Sequence, residues 1–181
     1  MTSKIGIGGI IRSHLATLVN ERTQRRSWAD LATFYLMPLL AGVALVILLP
    51  LRTAALQTTV GAFSIFSALL LNMLVIMFNL AKDPERHVYK RDQPRLIQQT
   101  QANIAYCILV GLVMVLVTLA TLAVAATEGG ILTTGHWISD AAAALIIYSG
   151  LVHFILSLVM VLKRVTVLLS LHAEAPKASD D

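Results

Sequence analysis

Apolar residues along this chain gather in four unbroken blocks, which are separated by short segments rich in charged or turn-forming residues. The blocks cover about residues 31–49, 60–81, 104–126 and 141–162. An α-helix needs ~20 predominantly apolar residues to cross the hydrocarbon core of a bilayer. These runs are continuous, whereas membrane-spanning strands alternate apolar and polar positions. The pattern therefore predicts an all-α integral membrane protein built as a four-helix bundle.

The segment before the first block has its own helical pattern. Ile7, Ile11, Leu15 and Leu18 recur at the spacing of one helix face, which predicts an N-terminal amphipathic helix lying in the membrane interface. Docking onto a partner is the alternative interpretation of this helix. No helix breaker occurs in residues 163–171, so the last helix is expected to continue past its span. The predicted divisions are a cytoplasmic or interfacial segment (1–28), a transmembrane domain (29–172) and a disordered cytoplasmic tail (173–181).

Composition agrees with a membrane protein. Of the 181 residues, 57% are hydrophobic and 13% are charged, with a mean hydropathy of +0.77, whereas a soluble domain carries about a quarter charged residues. The single cysteine, Cys107, lies inside an apolar block and can build neither a disulfide framework nor a multi-cysteine metal site. The first apolar block is followed by three more, so we predict no cleaved signal peptide.

The basic residues predict the orientation of the chain. Of the 14 Lys and Arg residues, only Arg52 lies in the first or third loop. The others lie before the first block, between the second and third blocks, or after the fourth, and such segments are normally cytoplasmic. Both termini are therefore expected in the cytoplasm. The predicted contacts with a partner or with anionic headgroups are Arg86, Lys90, Arg91, Arg95, Lys163 and Arg164, and the predicted interface anchors are Arg25, Arg26, Trp28 and Trp137.

Polar residues inside the blocks are few and uncharged. No Asp, Glu, Lys or Arg lies deep in a block, which disfavours a proton-coupled transporter or a voltage sensor. The predicted intramembrane polar layer consists of Asn72, Asn79, Tyr148, His153 and Ser157. These side chains either bond neighbouring helices, at ~0.6–2 kcal/mol per contact, or line a cavity or a subunit interface. Because Asn72 and His153 lie at similar depth, we expect them to contact each other or a neighbouring subunit.

Motifs for catalysis are absent from the sequence. There is no HExxH, GxSxG or P-loop pattern, and the five histidines show no metal-ligand spacing. A non-enzymatic protein without cofactors is the expectation. Small residues recur in the second, third and fourth blocks and allow close helix approach, which favours a homo-oligomer.

Two stretches carry a resemblance to a known family. One runs from Asn72 to Leu80, through the basic loop, and on through residues 101–110; the other covers residues 153–164. Together they resemble the small four-helix bacterial membrane proteins of anti-phage defence, such as the KwaA subunits of the Kiwa system. The resemblance implies a homo-oligomeric sensor in the bacterial inner membrane that works with a soluble cytoplasmic effector.

Two functions therefore compete at this point. The first is a non-enzymatic membrane sensor or scaffold that signals through its cytoplasmic segments to a protein partner. The second is a small homo-oligomeric pore, for which Asn72 and Asn79 would supply part of a polar lining. The loop between the second and third blocks has nearly balanced charge, which favours a protein partner over nucleic acid.

Overall fold

Five helices account for nearly all of the described chain. The computed structural model describes residues 7–17, 32–49, 51–81, 93–127 and 137–173, and no strand occurs within these ranges. The helices are α1 (Ile7–Thr17), α2 (Ala32–Leu48), α3 (Thr53–Ala81), α4 (Gln93–Thr127) and α5 (Trp137–Ala173). The prediction of an all-α protein is confirmed for these ranges.

Three of the helices, α3, α4 and α5, are long and apolar enough to cross a membrane. They have 29, 35 and 37 residues and reach about 44–56 Å at 1.5 Å per residue, whereas the hydrocarbon core is ~30 Å thick. Each helix is therefore longer than the hydrocarbon core is thick. The first predicted span forms the shorter apolar helix α2, in which five π-helical residues precede 12 α-helical ones.

The helices pack in an order that differs from their order in the sequence. The helix α3 lies along α4, and α4 lies along α5. The helix α2 lies along α5 rather than along its sequence neighbour α3, and α1 lies along α4. The last helix thus contacts both α2 and α4, and polar side chains of the three helices meet between them.

The face that α3 buries is a narrow seam. Leu56, Phe63, Leu70 and Met77 are its buried residues, and they recur every seventh position. A repeat of seven residues keeps one side of a helix against its neighbour. Most other apolar side chains of α3 are exposed, as Ile65 illustrates at 63%. An apolar surface of this extent is expected of a helix whose surroundings are lipid.

Glycines allow close approaches between helices, as Gly42 and Gly111 illustrate. A Cβ on Gly42 of α2 would lie 2.9 Å from Ser149 Cβ and 3.0 Å from Ser149 N on α5. A Cβ on Gly111 of α4 would meet Ser67 Oγ of α3 and would lie 3.2 Å from the Phe154 ring of α5. Small residues therefore set the spacing at the α2–α5 contact and at the point where α3, α4 and α5 converge.

Candidate functional site

The site begins with a proline in α2. Pro38 is buried and has no backbone N–H, so the carbonyl of Phe34, four residues earlier, lacks its usual helical donor. The backbone here adopts a π-helical turn over Ala32–Leu36. Nδ1 of His153, on α5, lies 2.8 Å from Phe34 O. The histidine thus supplies the hydrogen bond that the proline cannot make.

The hydrogen bonds of His153 determine its tautomer. Because Nδ1 faces a carbonyl oxygen, Nδ1 carries the proton in the neutral ring, and Nε2 is then an acceptor. The Tyr106 hydroxyl of α4 lies 2.9 Å from Nε2 and donates to it. Tyr35 of α2 is within hydrogen-bonding reach of Tyr106, and its ring centroid lies 5.5 Å from that of His153. One chain of hydrogen bonds therefore joins α2, α5 and α4.

The N-terminal helix joins the same group through His14. This side chain is fully buried, whereas its neighbours Ile11 and Arg12 are exposed. Nδ1 of His14 lies 2.9 Å from Asn103 Oδ1, and the His14 ring stacks on the Tyr106 ring with centroids 3.8 Å apart and planes 3° from parallel. We use the name polar cluster for His14, Tyr35, Asn103, Tyr106 and His153.

Electrostatics favour the neutral form of His14. Burial lowers the pKa of this imidazole, the hydrogen bond with Asn103 opposes that effect, and the nearby His153 and Arg164 lower the pKa further. A proton added to His14 would place a charge in a desolvated position close to a cation. The contact between α1 and α4 is therefore strongest when His14 is uncharged.

Polar side chains of α4 also fasten the ends of the neighbouring helices. Gln101 Nε2 donates to Met77 O of α3 at 3.1 Å. Arg164 Nη1 of α5 donates to Gln99 Oε1 at 3.2 Å. These bonds tie the beginning of α4 to the last turns of α3 and to the C-terminal part of α5.

The residues predicted to form the polar layer are dispersed. His153 lies in the polar cluster, the Tyr148 hydroxyl donates to Leu49 O at 3.2 Å near the other end of α2, and Ser157 is fully buried beside Cys107. Asn72 and Asn79 are exposed on α3, and the expected contact of Asn72 with His153 is not made within this chain. Each asparagine follows a residue of the buried seam by two positions, about 200° around the helix.

The predicted headgroup or partner contacts are only partly described. Lys163 is exposed and Arg164 is half-buried. Arg95 belongs to α4 and Trp137 to α5, but their side chains lie outside the part of the chain that the structure describes. The remaining predicted contacts and anchors lie outside the described ranges altogether: Arg25, Arg26, Trp28, Arg86, Lys90 and Arg91.

Of the polar cluster, only His153 belongs to the predicted polar layer, and Pro38 and His14 are two of the site residues that the sequence analysis missed. Pro38 is a breaker inside an apolar block, and that signal could have directed attention to the carbonyl four residues before it. His14 lies in a short, glycine-containing helix, and nothing in its sequence neighbourhood indicates burial. Its role depends on Asn103, which is 89 positions away.

A groove adjoins the polar cluster. It lies between α2, α4 and α5, has a volume of about 410 Å³, and is bordered at one end by Tyr35, Tyr106 and His153. Its other walls are mainly apolar, from residues such as Leu39 and Val110.

Comparison with known proteins adds no assignment. No protein-family model, curated protein or solved structure was found to match the chain. Among the described residues, no three His, Cys, Asp or Glu side chains are grouped so that they could hold a metal ion. The arrangement itself can connect four helices through hydrogen bonds and ring stacking, and it can present a groove with a polar end.

Proposed function

We propose that this chain is a non-enzymatic membrane sensor or scaffold that passes changes in the bilayer to its cytoplasmic surface. The observation that carries the proposal is the connection from Phe34 through His153 and Tyr106 to His14. A movement of α2 against α5 would disturb this connection and so change how α1 sits on α4. The family resemblance supports a role in anti-phage defence.

The proposed topology has four spans, α2 to α5, with both termini in the cytoplasm and the chain in the bacterial inner membrane. The distribution of Lys and Arg supports this orientation. It places α1, the beginning of α4 and the end of α5 on the cytoplasmic side. Modification of a Ser179→Cys variant by an impermeant reagent added outside intact cells would contradict it, and Cys107, which is buried, gives little background.

The short span is the element best suited to respond to the bilayer. At 1.5 Å per residue α2 is about 25 Å long, less than the ~30 Å hydrocarbon core. A mismatch of this kind costs fractions of a kcal/mol per Å and is relieved by tilt or by local thinning of the bilayer. Because His153 holds α2 near one end and Tyr148 holds it near the other, a tilt would act directly on the polar cluster.

A protein partner is proposed for the cytoplasmic surface. The Arg164–Gln99 bond supports a joined surface formed by the N-terminal part of α4 and the C-terminal part of α5, and the exposed Lys163 would contact the partner or anionic headgroups. Charges of this kind set specificity and encounter rate more than affinity. Capture of the same cytosolic proteins by wild type and by Lys163→Glu, with equal salt dependence, would remove this surface from the proposal. We also propose that the chain assembles as a homo-oligomer.

Bilayer thickness is expected to alter the exposure of α1. We expect backbone hydrogen exchange of residues 8–17 to be about fivefold less protected in long-chain than in short-chain phosphatidylcholine nanodiscs, because ~1 kcal/mol of mismatch energy corresponds to that ratio. Tyr106→Phe keeps the ring on His14 but loses the hydroxyl bond to His153. The hydrogen-exchange protection of α1 in this variant should therefore be the same in both kinds of nanodisc. Asn72→Leu, at an exposed position of α3 that lies outside the polar cluster, is the control and should behave as wild type. If the hydrogen-exchange protection of α1 in the wild type is equal in both bilayers, the proposed sensor function is refuted.

The pore remains the competing proposal because Asn72 and Asn79 are exposed and lie seven residues apart on α3. Their neighbours Leu71, Val75 and Phe78 are exposed apolar side chains, which gives a discontinuous polar stripe. Ion flux through liposomes that contain purified protein separates the two functions. Robust flux that is lost in an Asn72→Leu, Asn79→Leu double variant would favour the pore.

A further inference from the structure

We propose that the groove between α2, α4 and α5 binds an uncharged lipid whose oxygen-bearing end hydrogen-bonds to Tyr35. The inference requires these helices to lie in a membrane, but it does not depend on the sensor role. The evidence is the direction in which the groove opens, its size, and the kind of side chain at each end.

The opening of the groove determines which molecules reach it. The helices α2 and α4 each pack along α5, and the groove is the space left between them. Leu39 on α2 and Ile146 on α5 line it and are 48% and 52% exposed. Both belong to the apolar part of the chain, where only lipid or another membrane protein is available as a neighbour.

The dimensions suit one chain of a lipid. The volume of about 410 Å³ lies in the range of ~300–1,000 Å³ that is usual for small-molecule sites. Tyr106, Val110 and Met114 follow one another at intervals of four residues along the α4 wall, which gives a length of about 12 Å from the polar end. An extended apolar chain can therefore lie parallel to α4, with its head at the level of Tyr106.

The polar end selects an uncharged head. The Tyr106 hydroxyl donates to His153, and Tyr106 is only 8% exposed. The Tyr35 side chain beside it is 40% exposed, so its hydroxyl is the group that a lipid head can reach. Phenol groups both donate and accept, which matches an alcohol or a carbonyl oxygen. No Lys, Arg, Asp or Glu is among the described residues that line the groove. An anionic head would therefore be desolvated there without a counter-charge.

The test uses two photoactivatable probes that differ only in the head. Hexadecanol carrying a mid-chain diazirine is the neutral probe, and the corresponding hexadecyl sulfonate is the anionic one. Each is added to the full chain in phosphatidylcholine vesicles, and cross-linked peptides are mapped by mass spectrometry. The variants are Val110→Trp, which fills the groove, Tyr35→Phe, which removes one hydroxyl, and Leu116→Trp, a control at a position of α4 that is 59% exposed.

We expect hexadecanol to label the groove peptides of α2 and α4 about tenfold more than the sulfonate does, and Val110→Trp to remove most of this labelling. Tyr35→Phe should lower hexadecanol labelling severalfold without altering the fold, and Leu116→Trp should leave it unchanged. Equal labelling by both probes, or equal labelling of all exposed helix faces in every variant, would overturn the proposal in favour of general lipid contact. Cross-links between two copies across the groove would overturn it in favour of a second chain. None of these readouts measures α1 protection, so failure here is distinct from failure of the sensor.

Discussion

His153→Leu is expected to lower the free energy of unfolding by about 2 kcal/mol, and Pro38→Ala in the same chain is expected to restore about half of that loss. The leucine leaves Phe34 O and the Tyr106 hydroxyl without the imidazole that bonds them. An unsatisfied buried polar group costs ~1–3 kcal/mol in a soluble protein and less in a membrane protein. An alanine at position 38 returns a backbone N–H four residues after Phe34, so the helix can satisfy the carbonyl itself.

The measurement is a double-mutant cycle by reversible unfolding in mixed micelles, with a coupling of about 1 kcal/mol expected between the two positions. Asn72→Leu is the matched control. It removes a polar side chain from an exposed position at similar depth and should not reduce stability. Strict additivity of Pro38→Ala and His153→Leu would mean that the histidine does not replace the missing helical donor.

The docking of α1 is expected to weaken in acid. Burial holds the pKa of His14 below its ordinary value of 6.5, so undocked α1 binds more protons than docked α1. The equilibrium constant for docking of α1 is therefore independent of pH above 6.5. It falls as the pH drops below that value, by up to about tenfold per pH unit, until the lowered pKa of His14 is reached.

Hydrogen exchange of residues 8–17, expressed as protection relative to the intrinsic rate at each pH, measures this directly. His14→Gln keeps a donor for Asn103 but does not titrate, so its protection should be lower than wild type at neutral pH and independent of pH. The groups that act on His14 are His153 and Arg164, together with its contacts Asn103 and Tyr106. An unchanged pH response in His14→Gln would assign the effect to another group.

The apolar blocks predicted the long helices, and the absence of helix breakers in residues 163–171 predicted that α5 continues past its block, which the structure confirms. The beginning of α3 was not predicted, because hydropathy locates only the part of a helix that suits lipid, whereas Thr53 to Thr59 is a polar stretch that still forms helix. The faces could not be predicted either. A helix that is apolar all round has no sequence signal for its buried side. Asn72 was expected to contact His153 or a neighbouring subunit, and within this chain Leu70 and its seam neighbours occupy the packed side of α3.

The polar cluster depends on contacts between residues far apart in the sequence. His153 and Phe34 are 119 positions apart, and a single sequence gives no measure of such proximity. His153 was expected to face protein because an ionisable side chain in a span needs a partner. The identity of that partner could not be deduced, because a backbone carbonyl exposed by a proline carries no residue-type signal of its own.

The packing of α2 along α5 has a consequence for biosynthesis. The hairpin of α3 and α4 can pair as soon as both have left the ribosome, but α2 must wait for α5, which begins at Trp137. At ~5–20 residues per second, that interval is roughly 5–20 s. In the proposed topology, Pro38, Gly42 and the carbonyl of Phe34 face lipid or the insertion machinery during this interval instead of Ser149 and His153. The newly made α2 would then depend on protection by the translocon or a membrane chaperone until α5 arrives.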